Sequence, residues 1–578
     1  MAASFEILIA DWMLSPEIYL RRGPNASVHD RLDNILQERA HAGVRIYILA
    51  WNETKFGLFL KATYSSFDWL NFSQAFKFSN EHAKLTLENL HENIKVIAHP
   101  AAVPFEWSHH DKLICIDRTV AFIGGLDLAF GRYDTCKHPL VDDCHLKLVW
   151  PGKDYYNPTI KEICRIFMKP RAYHKSRKVD KPFEDLLERT TQPRMPWHDV
   201  YCSLWGSEIA TDFFLHFAQR WNHHARELHI DEYYPVLCPD GLGSINSVLT
   251  ENQLSLSSLP IKKFIQTLSH KPLNCEAQFL RSISSWSGGQ STECSILTAM
   301  LRTIEDAEHY IYIENQYFIS STLKSRSSDE PRNFIAGAIC ARVRRAIKEN
   351  KLFQVFITLP ISPEGNFRDD AILRYIMLLQ YETIYLSKTS LFQTLKREFP
   401  SIDLQQYIKL FSLRTWGLLG KKIVTEMIYV HSKLLIVDDK VTIIGSPNIN
   451  DRSLLGDGDS EVAIIIRDQD YVTSKMSGVQ YSAGRFSHTL RCKLWAEHLG
   501  LSSFEGVKDP LAKETLFLLT STAANNTLIY ESLFPDVNSN NILTMHDLLA
   551  KMASLGRNYK SYICECNCTN EALSLLKK

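Results

Sequence analysis

Residues 107–127 read WSHHDKLICIDRTVAFIGGLD, and residues 428–448 read IYVHSKLLIVDDKVTIIGSPN. Aligned on His110 and His431, both give His-x-Lys, four residues, Asp, six residues, then Gly-[Gly/Ser]-x-[Asp/Asn]. Each Asp stands between two apolar runs, LICI and TVAFI in one copy, LLIV and VTII in the other. Each copy therefore predicts a β-hairpin turning near Asp117 or Asp438. A His and a Lys two residues apart on a strand project from the same face. More than half the chain separates the copies, so the pattern predicts a duplicated half-site on two lobes of comparable size.

The flanking sequence sets the fold class. Short β-rich runs at 5–10 and 44–50 enclose a helical segment, Ser27 to Ala42, with a stop at Gly43. The same alternation recurs at 85–100, 296–319 and 341–360, which predicts an α/β chain with a mostly parallel or mixed sheet in each of two sandwich lobes. The expected boundaries are an N-terminal lobe at 1–245, a Ser/Leu-rich linker at 246–260, a C-terminal lobe at 261–550 and a poorly ordered tail at 551–578. From Ser502 onward clear alternation is lost.

Composition narrows the class. Of 578 residues 45% are hydrophobic, and 65 Lys+Arg balance 65 Asp+Glu, so the chain forms a core and is no generic polyanion binder. No run of 18 apolar residues appears, and the N-terminus MAASFEILIADWML lacks a signal peptide's basic flank. An odd count of 13 cysteines without framework spacing fits reduced thiols and a cytoplasmic location. Cys564, Cys566 and Cys568 lack a fourth ligand at a common zinc spacing and read as free thiols.

A lone His on a buried strand is most often a satisfied core residue. Two copies carrying Lys at the same offset need another reason, because a duplicated hairpin has no structural use for His-x-Lys. Paired ammonium groups stabilise the extra charge that develops on a phosphodiester under attack. Of two facing imidazoles, one attacks phosphorus while the other protonates the leaving oxygen and later accepts a proton from the incoming water. Neither a metal nor another cofactor is required for that chemistry.

These residues resemble the paired HKD motifs of the phospholipase D superfamily. DWMLSPEIYLRR (11–22), GGLDLAFGRYD (124–134), RMPWHD (194–199), RSISSWSGG (281–289), IYIENQYFIS (311–320) and GSPNINDRSLLGDGDSE (445–461) resemble the eukaryotic enzymes that hydrolyse phosphatidylcholine. The resemblance implies two α-β-α lobes around one site, and hydrolysis to phosphatidate and choline through a phosphohistidine, with transphosphatidylation to primary alcohols. It implies His110 as nucleophile and His431 as general acid and then base. Lys112, Lys433 and Asn448 would hold phosphate oxygens, with Ser446 beside them and Asp127 at the Asn position of the first copy. Glu461 would orient the His of the other lobe, and Asp142 or Asp143 would orient His431. Asp117 and Asp438 belong to the motif, yet they sit off the His face, and turn formation explains them as well as catalysis does.

Glu314, Asn315 and Gln316 interrupt an apolar strand and predict a polar cluster near the site, the alternative being an edge-strand patch. Trp107, Trp197 and Trp286 offer an aromatic wall for a choline headgroup by cation–π attraction, the alternative being core. The basic runs 165–181 and 342–351 suggest contact with anionic lipid. Arg342, Arg345 and Lys348 would line one helix face, the alternative being a solvated face. The expected partner is a phospholipid surface, bound peripherally. The resemblance further implies a phosphoinositide activator and small GTPase regulators. It begins near residue 5, so the expectation is a catalytic region without PX, PH or C2 domains. Other readings are a phosphatidyltransferase or nuclease of the same fold and a silent lipid-binding scaffold. Balanced charge argues against nucleic acid, and intact His and Lys in both motifs argue against the scaffold.

Overall fold

The computed structural model describes residues 3–51, 80–99, 107–142, 149–160, 181–238, 272–323, 331–365 and 370–534, with residues 546, 547, 550 and 554. Six strands build the first sheet: β1 (Glu6–Asp11), β2 (Arg45–Trp51), β3 (Ile94–His99), β4 (Leu113–Ile116), β5 (Val120–Gly124) and β6 (Tyr201–Trp205), in the order β3-β2-β1-β4-β5-β6. The second sheet contains β7 (Cys275–Ile283), β8 (Tyr310–Glu314), β9 (Gln354–Thr358), β10 (Ile408–Phe411), β11 (Leu434–Val437), β12 (Val441–Gly445) and β13 (Glu461–Asp468). Its order is β10-β9-β8-β11-β12-β13-β7, with Glu293–Cys294 at the edge. The first six positions repeat the first sheet strand for strand. In each sheet three strands are parallel, β1 to β3 and β8 to β10, and the motif hairpin and its outer neighbour are antiparallel. Both sheets are thus mixed, because a turn of three residues joins antiparallel strands.

Side-chain alternation sorts the core into layers. On β1, Ile7 and Ile9 face an outer layer with Leu32 and Leu36 of α1 (Leu32–His41) and Leu87 of α2 (Asn80–Glu88). Leu8 and Ala10 face inward, into a cluster that also takes Tyr310 and Tyr312 of β8. Ile311 and Ile313 point the other way, toward Met300 of α4 (Ser295–Asp306), Ile339 of α5 (Ile335–Lys348) and Leu395 of α6 (Leu391–Glu398). The inner faces of both sheets therefore share one core. Helix α3 (Ser207–Glu227) reaches it with Ala210, Phe213, Phe214, Phe217, Ala218, Trp221 and Ala225, a stripe at helical spacing. Helix α7 (Arg485–His498), which follows β13 after an intervening hairpin of strands Tyr471–Met476 and Val479–Gly484, adds Cys492, Leu494 and Trp495. At about 1.5–3 kcal/mol per buried large apolar side chain, this shared layer fixes the lobes against each other.

The hairpins form as expected, and their turns explain the motif aspartates. Asp117 and Arg118 have φ of 51° and 49°, and Asp438 and Asp439 of 54° and 51°, the two successive left-handed residues of a turn whose twist matches the flanking strands. The Asp117 carboxylate accepts the backbone N–H of Ser4, Phe5 and Glu6 at 2.7, 3.0 and 3.0 Å. Asp438 accepts those of Glu308, His309 and Tyr310 at 2.7, 2.8 and 2.8 Å. Each Asp thus fastens its hairpin to the start of the neighbouring central strand, which corrects the expectation that either one is catalytic.

Other expectations change. Arg342 is buried, donating to the carbonyls of Ala307 and Glu308 behind α4. Arg345 also donates to Ala307 O, and Lys348 lies 3.7 Å from Glu398. The predicted lipid-binding face therefore largely caps a helix and pairs with acid. Beyond Ser502, where alternation fades, the chain forms the 21-residue helix α8 (Lys513–Leu533). Most of the basic run 165–181, the linker 246–260, and the tail 551–578 apart from residue 554 lie outside the described residues.

Asp438→Ala and Asp117→Ala each strand three backbone donors. Urea unfolding is expected to show a loss of about 2–4 kcal/mol for either. A change below about 0.5 kcal/mol would contradict the turn-anchor role.

Candidate active site at the lobe interface

Both His-x-Lys segments run just ahead of their hairpins and leave their own sheets to pair with the opposite lobe. His109 bridges to Ser460, and the His110 amide donates to Ser460 O at 3.0 Å. In the mirrored arrangement Tyr429 and Val430 pair in parallel with Trp197 and His198, and the His431 amide donates to His198 O at 2.8 Å. Each imidazole then meets a carboxylate that opens the outer strand of the other lobe. His110 Nδ1 lies 3.0 Å from both oxygens of Glu461, at the start of β13. His431 Nδ1 lies 2.8 Å from Asp199 Oδ2, two residues before β6. With Nδ1 occupied, Nε2 of each ring is the atom left for chemistry.

Two glycines explain the Gly of the motif. A Cβ on Gly124 or Gly445 would fall 2.4 Å from the carbonyl oxygen of Val200 or Val462, so only glycine lets the second hairpin strand pass the strand carrying the carboxylate. The next position differs between copies. Ser446 donates to Glu461 at 2.5 Å, whereas a Cβ at Gly125 would lie 2.4 Å from Asp199 Oδ1.

The lysines follow the same two-fold pattern. Lys112 Nζ donates to His110 O at 3.1 Å and Lys433 Nζ to His431 O at 2.6 Å. Lys112 also pairs with Asp127 at 3.1 Å, and Lys433 donates to Gln316 Oε1 at 3.1 Å. Asn448, which stands where Asp127 stands in the first copy, has a buried Oδ1 without a hydrogen-bond partner among the described residues. Trp12 sits 5.5 Å from the His110 ring and beneath Lys112, and Trp197 sits 4.9 Å from His431 and beneath Arg132.

Burial dominates the electrostatics. It pushes both His110 and His431 well below the ordinary imidazole range, and neighbouring cations push the same way, Lys112 and then Lys433 on His110, Lys433 and then Arg132 on His431. Lys433 is itself lowered to about 7 by burial, with Asp199 opposing and Lys112 adding. Burial raises Asp199 to about 6 against the pull of Lys433, and raises Glu461 well above its usual range against Lys112. For the His110–Glu461 pair, burial thus favours a neutral form on both sides. Hydroxyls of Ser446 and Ser453, both at 2.5 Å, also converge on the Glu461 carboxylate, so the network assigns Glu461 as acceptor and His110 as a neutral ring with Nδ1–H donating. The site is a cluster of basic groups held short of protons, a condition that a bound anion relieves.

The predicted residues divide accordingly. His110, Lys112, His431, Lys433, Glu461 and Gln316 come together at this interface, and Asn448, three residues past β12, is buried. Asn315 shapes the loop beside it, accepting from Ile449 N and donating to Pro447 O. Glu314 lies behind, bound to His198 at 2.8 Å and to Ser432 at 2.6 Å. Ser446 turns its hydroxyl to Glu461, so it holds the carboxylate and not a phosphate. Asp127 is corrected too: against burial, Lys112 and Arg132 hold its carboxyl below the usual range, and an anion there is a counter-ion to Lys112, unable to bind phosphate. Asp142 accepts Trp150 N–H at 2.7 Å and lies 3.7 Å from Arg189. The partner of His431 is Asp199, which the sequence reading missed although RMPWHD ends on it; Asp143 lies outside the described residues. Of the three tryptophans, Trp197 lines the site, Trp286 packs on His109 at 4.6 Å, and Trp107 lies under Arg452 at 5.2 Å.

The Phospholipase D family profile matches residues 1–172, 164–421 and 418–543. Phospholipase D A of Dictyostelium discoideum is 41% identical over 500 residues, covering 86% of this chain and 34% of that protein. Phospholipase D zeta 2 of Arabidopsis thaliana is 36% identical, covering 95% of this chain and 57% of that protein. Phospholipase D1 of Saccharomyces cerevisiae is 40% identical, covering 86% and 27%. The chain therefore spans less than two thirds of the length of each of these relatives.

An anion entering the site raises the depressed values of Lys433 and the imidazoles, so protons must be taken up with it. Calorimetric titration with tungstate at pH 7.5, in buffers of different ionisation enthalpy, is expected to show net proton uptake. Proton release, or none exchanged, would contradict the electrostatic reading.

Proposed function

The chain belongs to the phospholipase D family, and from that premise we propose that it hydrolyses phosphatidylcholine to phosphatidate and choline through a covalent phosphohistidine. The observation that carries the proposal is the pair of cross-lobe imidazole–carboxylate contacts, which leave Nε2 of both rings open, with Lys112 and Lys433 near enough to lower both imidazoles.

In the first half-reaction His110 Nε2 attacks phosphorus. The P–N bond forms, the P–O bond to choline breaks, and protonated His431 delivers its proton to the departing oxygen. Lys112, Lys433 and the Asn448 amide hold the phosphoryl oxygens while charge builds on them. In the second half-reaction water attacks phosphorus, His431 takes its proton, and the P–N bond breaks to free His110. A primary alcohol in place of water gives the phosphatidyl-alcohol. The choice of His110 as nucleophile follows the resemblance to family motifs. Glu461 and Asp199 hold the two rings and offset the charge each gains.

Binding is proposed to occur at a phospholipid surface without insertion; no helix among the described residues is long and apolar enough to cross a membrane. With Arg342 buried, a phosphoinositide activator would have to use other basic positions.

Incubation with phosphatidylcholine vesicles and 1-butanol is expected to yield phosphatidate and phosphatidylbutanol. His110→Ala and His431→Ala are each expected to lower both products by roughly 10³-fold or more. Acid-quenched protein should carry the phosphatidyl adduct on His110. Product from either variant at the original rate, or an adduct on His431, would overturn the mechanism.

A further inference from the structure

Beside the reactive pair, on the first lobe, three histidines fill a pocket that the chemistry above does not use. His99 ends β3, His109 directly precedes His110, and His224 lies in the last turn of α3. All three are buried, at 0%, 2% and 1% exposure. Ring centroids are 4.0 Å apart for His99–His109, 4.0 Å for His99–His224 and 4.7 Å for His109–His224. Four of their six ring nitrogens, both of His99 and Nε2 of His109 and His224, have no hydrogen-bond partner among the described residues. Burying a polar nitrogen without a partner costs about 1–3 kcal/mol, so such a concentration in one place calls for an occupant.

The two satisfied nitrogens indicate what kind. His109 Nδ1 lies 2.9 Å from the Ser460 hydroxyl, and His224 Nδ1 lies 3.1 Å from the Glu227 carboxylate. An imidazole with Nδ1 held by an oxygen and Nε2 aimed into a shared space is the arrangement of metal-ligating histidines, whose outer partner fixes the tautomer. Burial, with mutual repulsion and the charge of Arg220, holds all three below the ordinary range, His224 at about 4, so the rings are in the neutral form that ligates. The Arg220 charge is offset by its ion pair with Asp111.

We propose that His99, His109 and His224 bind one divalent transition metal of the zinc class, a site distinct from the phosphodiester chemistry. Three imidazoles, with the Glu227 carboxylate engaged on the Nδ1 side of His224, suit zinc or cobalt and disfavour magnesium or calcium. One ligand atom from each ring lies within 4.8 Å of the others, and bonds of about 2.0–2.1 Å need a closure of roughly 1 Å per donor, reached by turning the rings. Neighbouring clusters lack this character. In the group His138, His198 and Glu497, and in the group His198, Glu314 and His498, the carboxylates already hydrogen-bond His138 or His198. The metal would tie β3, the first motif and α3 at the residue next to His110, bracing the segment that presents it.

The full chain, dialysed against a chelator and titrated with Zn²⁺ and with Co²⁺, is expected to bind one equivalent of each. The Co²⁺ form should show visible d–d bands, and X-ray absorption of the Zn²⁺ form should count three imidazoles. His224→Ala and His99→Ala are expected to weaken binding by ~100-fold or more, at least what losing an outer partner of a ligand costs; His498→Ala should leave it unchanged. His224→Gln, similar in size, serves if His224→Ala does not fold, with near-ultraviolet circular dichroism as the check. Absence of binding by the wild-type chain, an absorption spectrum without imidazole ligands, or unchanged affinity in a folded His224 variant would overturn the proposal.

Discussion

Each motif imidazole is held by a carboxylate from the opposite lobe. His110 leans on Glu461 and His431 on Asp199, so neither lobe has a finished half-site alone. A contact of 2.8–3.0 Å across a domain boundary tolerates displacements of only a few tenths of an ångström. The rest of the molecule supplies that tolerance. One apolar layer is shared by both sheets, with α3 and α7 packed into it, and the two motif segments are hydrogen-bonded into the facing lobe through Ser460 and His198. Close-packed interiors resist sliding, which makes the shared core a precondition of the crossed contacts.

Burial imposes a second constraint. Removing two imidazoles and two ammonium groups from water is unfavourable unless they lose protons or gain counter-charge. The protein does both: Asp127 neutralises Lys112, while Lys433 and the two rings are depressed. The lone counter-ion also breaks the two-fold pattern, because the second copy has Asn448 where the first has Asp127. One half of the site thus keeps its lysine partnered by acid, whereas in the other Gln316 accepts from the lysine and the Asn448 amide oxygen has no hydrogen-bond partner among the described residues.

The repeat was enough to read two lobes, the hairpins, and the His and Lys pairs, because those features lie within single stretches of chain. Glu461 was legible only through the family resemblance of the DSE segment, because its contact with His110 joins opposite lobes. Asp199 was not: its role exists only once Trp197–His198 pairs with Tyr429–Val430, a contact that joins the two lobes. Its symmetry mate was the available signal, as both carboxylates stand at the head of the outer strand. Arg342 shows the limit of reading a helix face, since its guanidinium reaches past its own helix to the end of α4. Helix α8 lacked a clear apolar stripe, with Thr, Ser and Asn through its middle, and a buried stripe is the signal such reading needs.

The most direct test of the crossed arrangement is ¹⁵N spectroscopy of the histidine side chains in wild type, Glu461→Gln and Asp199→Asn. An amide in place of the carboxylate disturbs the tautomer of the ring it holds. The account predicts that Glu461→Gln shifts the ring nitrogens of His110 and leaves those of His431 in place, and that Asp199→Asn does the reverse. Each variant acting on the histidine of its own lobe, or neither acting on any, would contradict it.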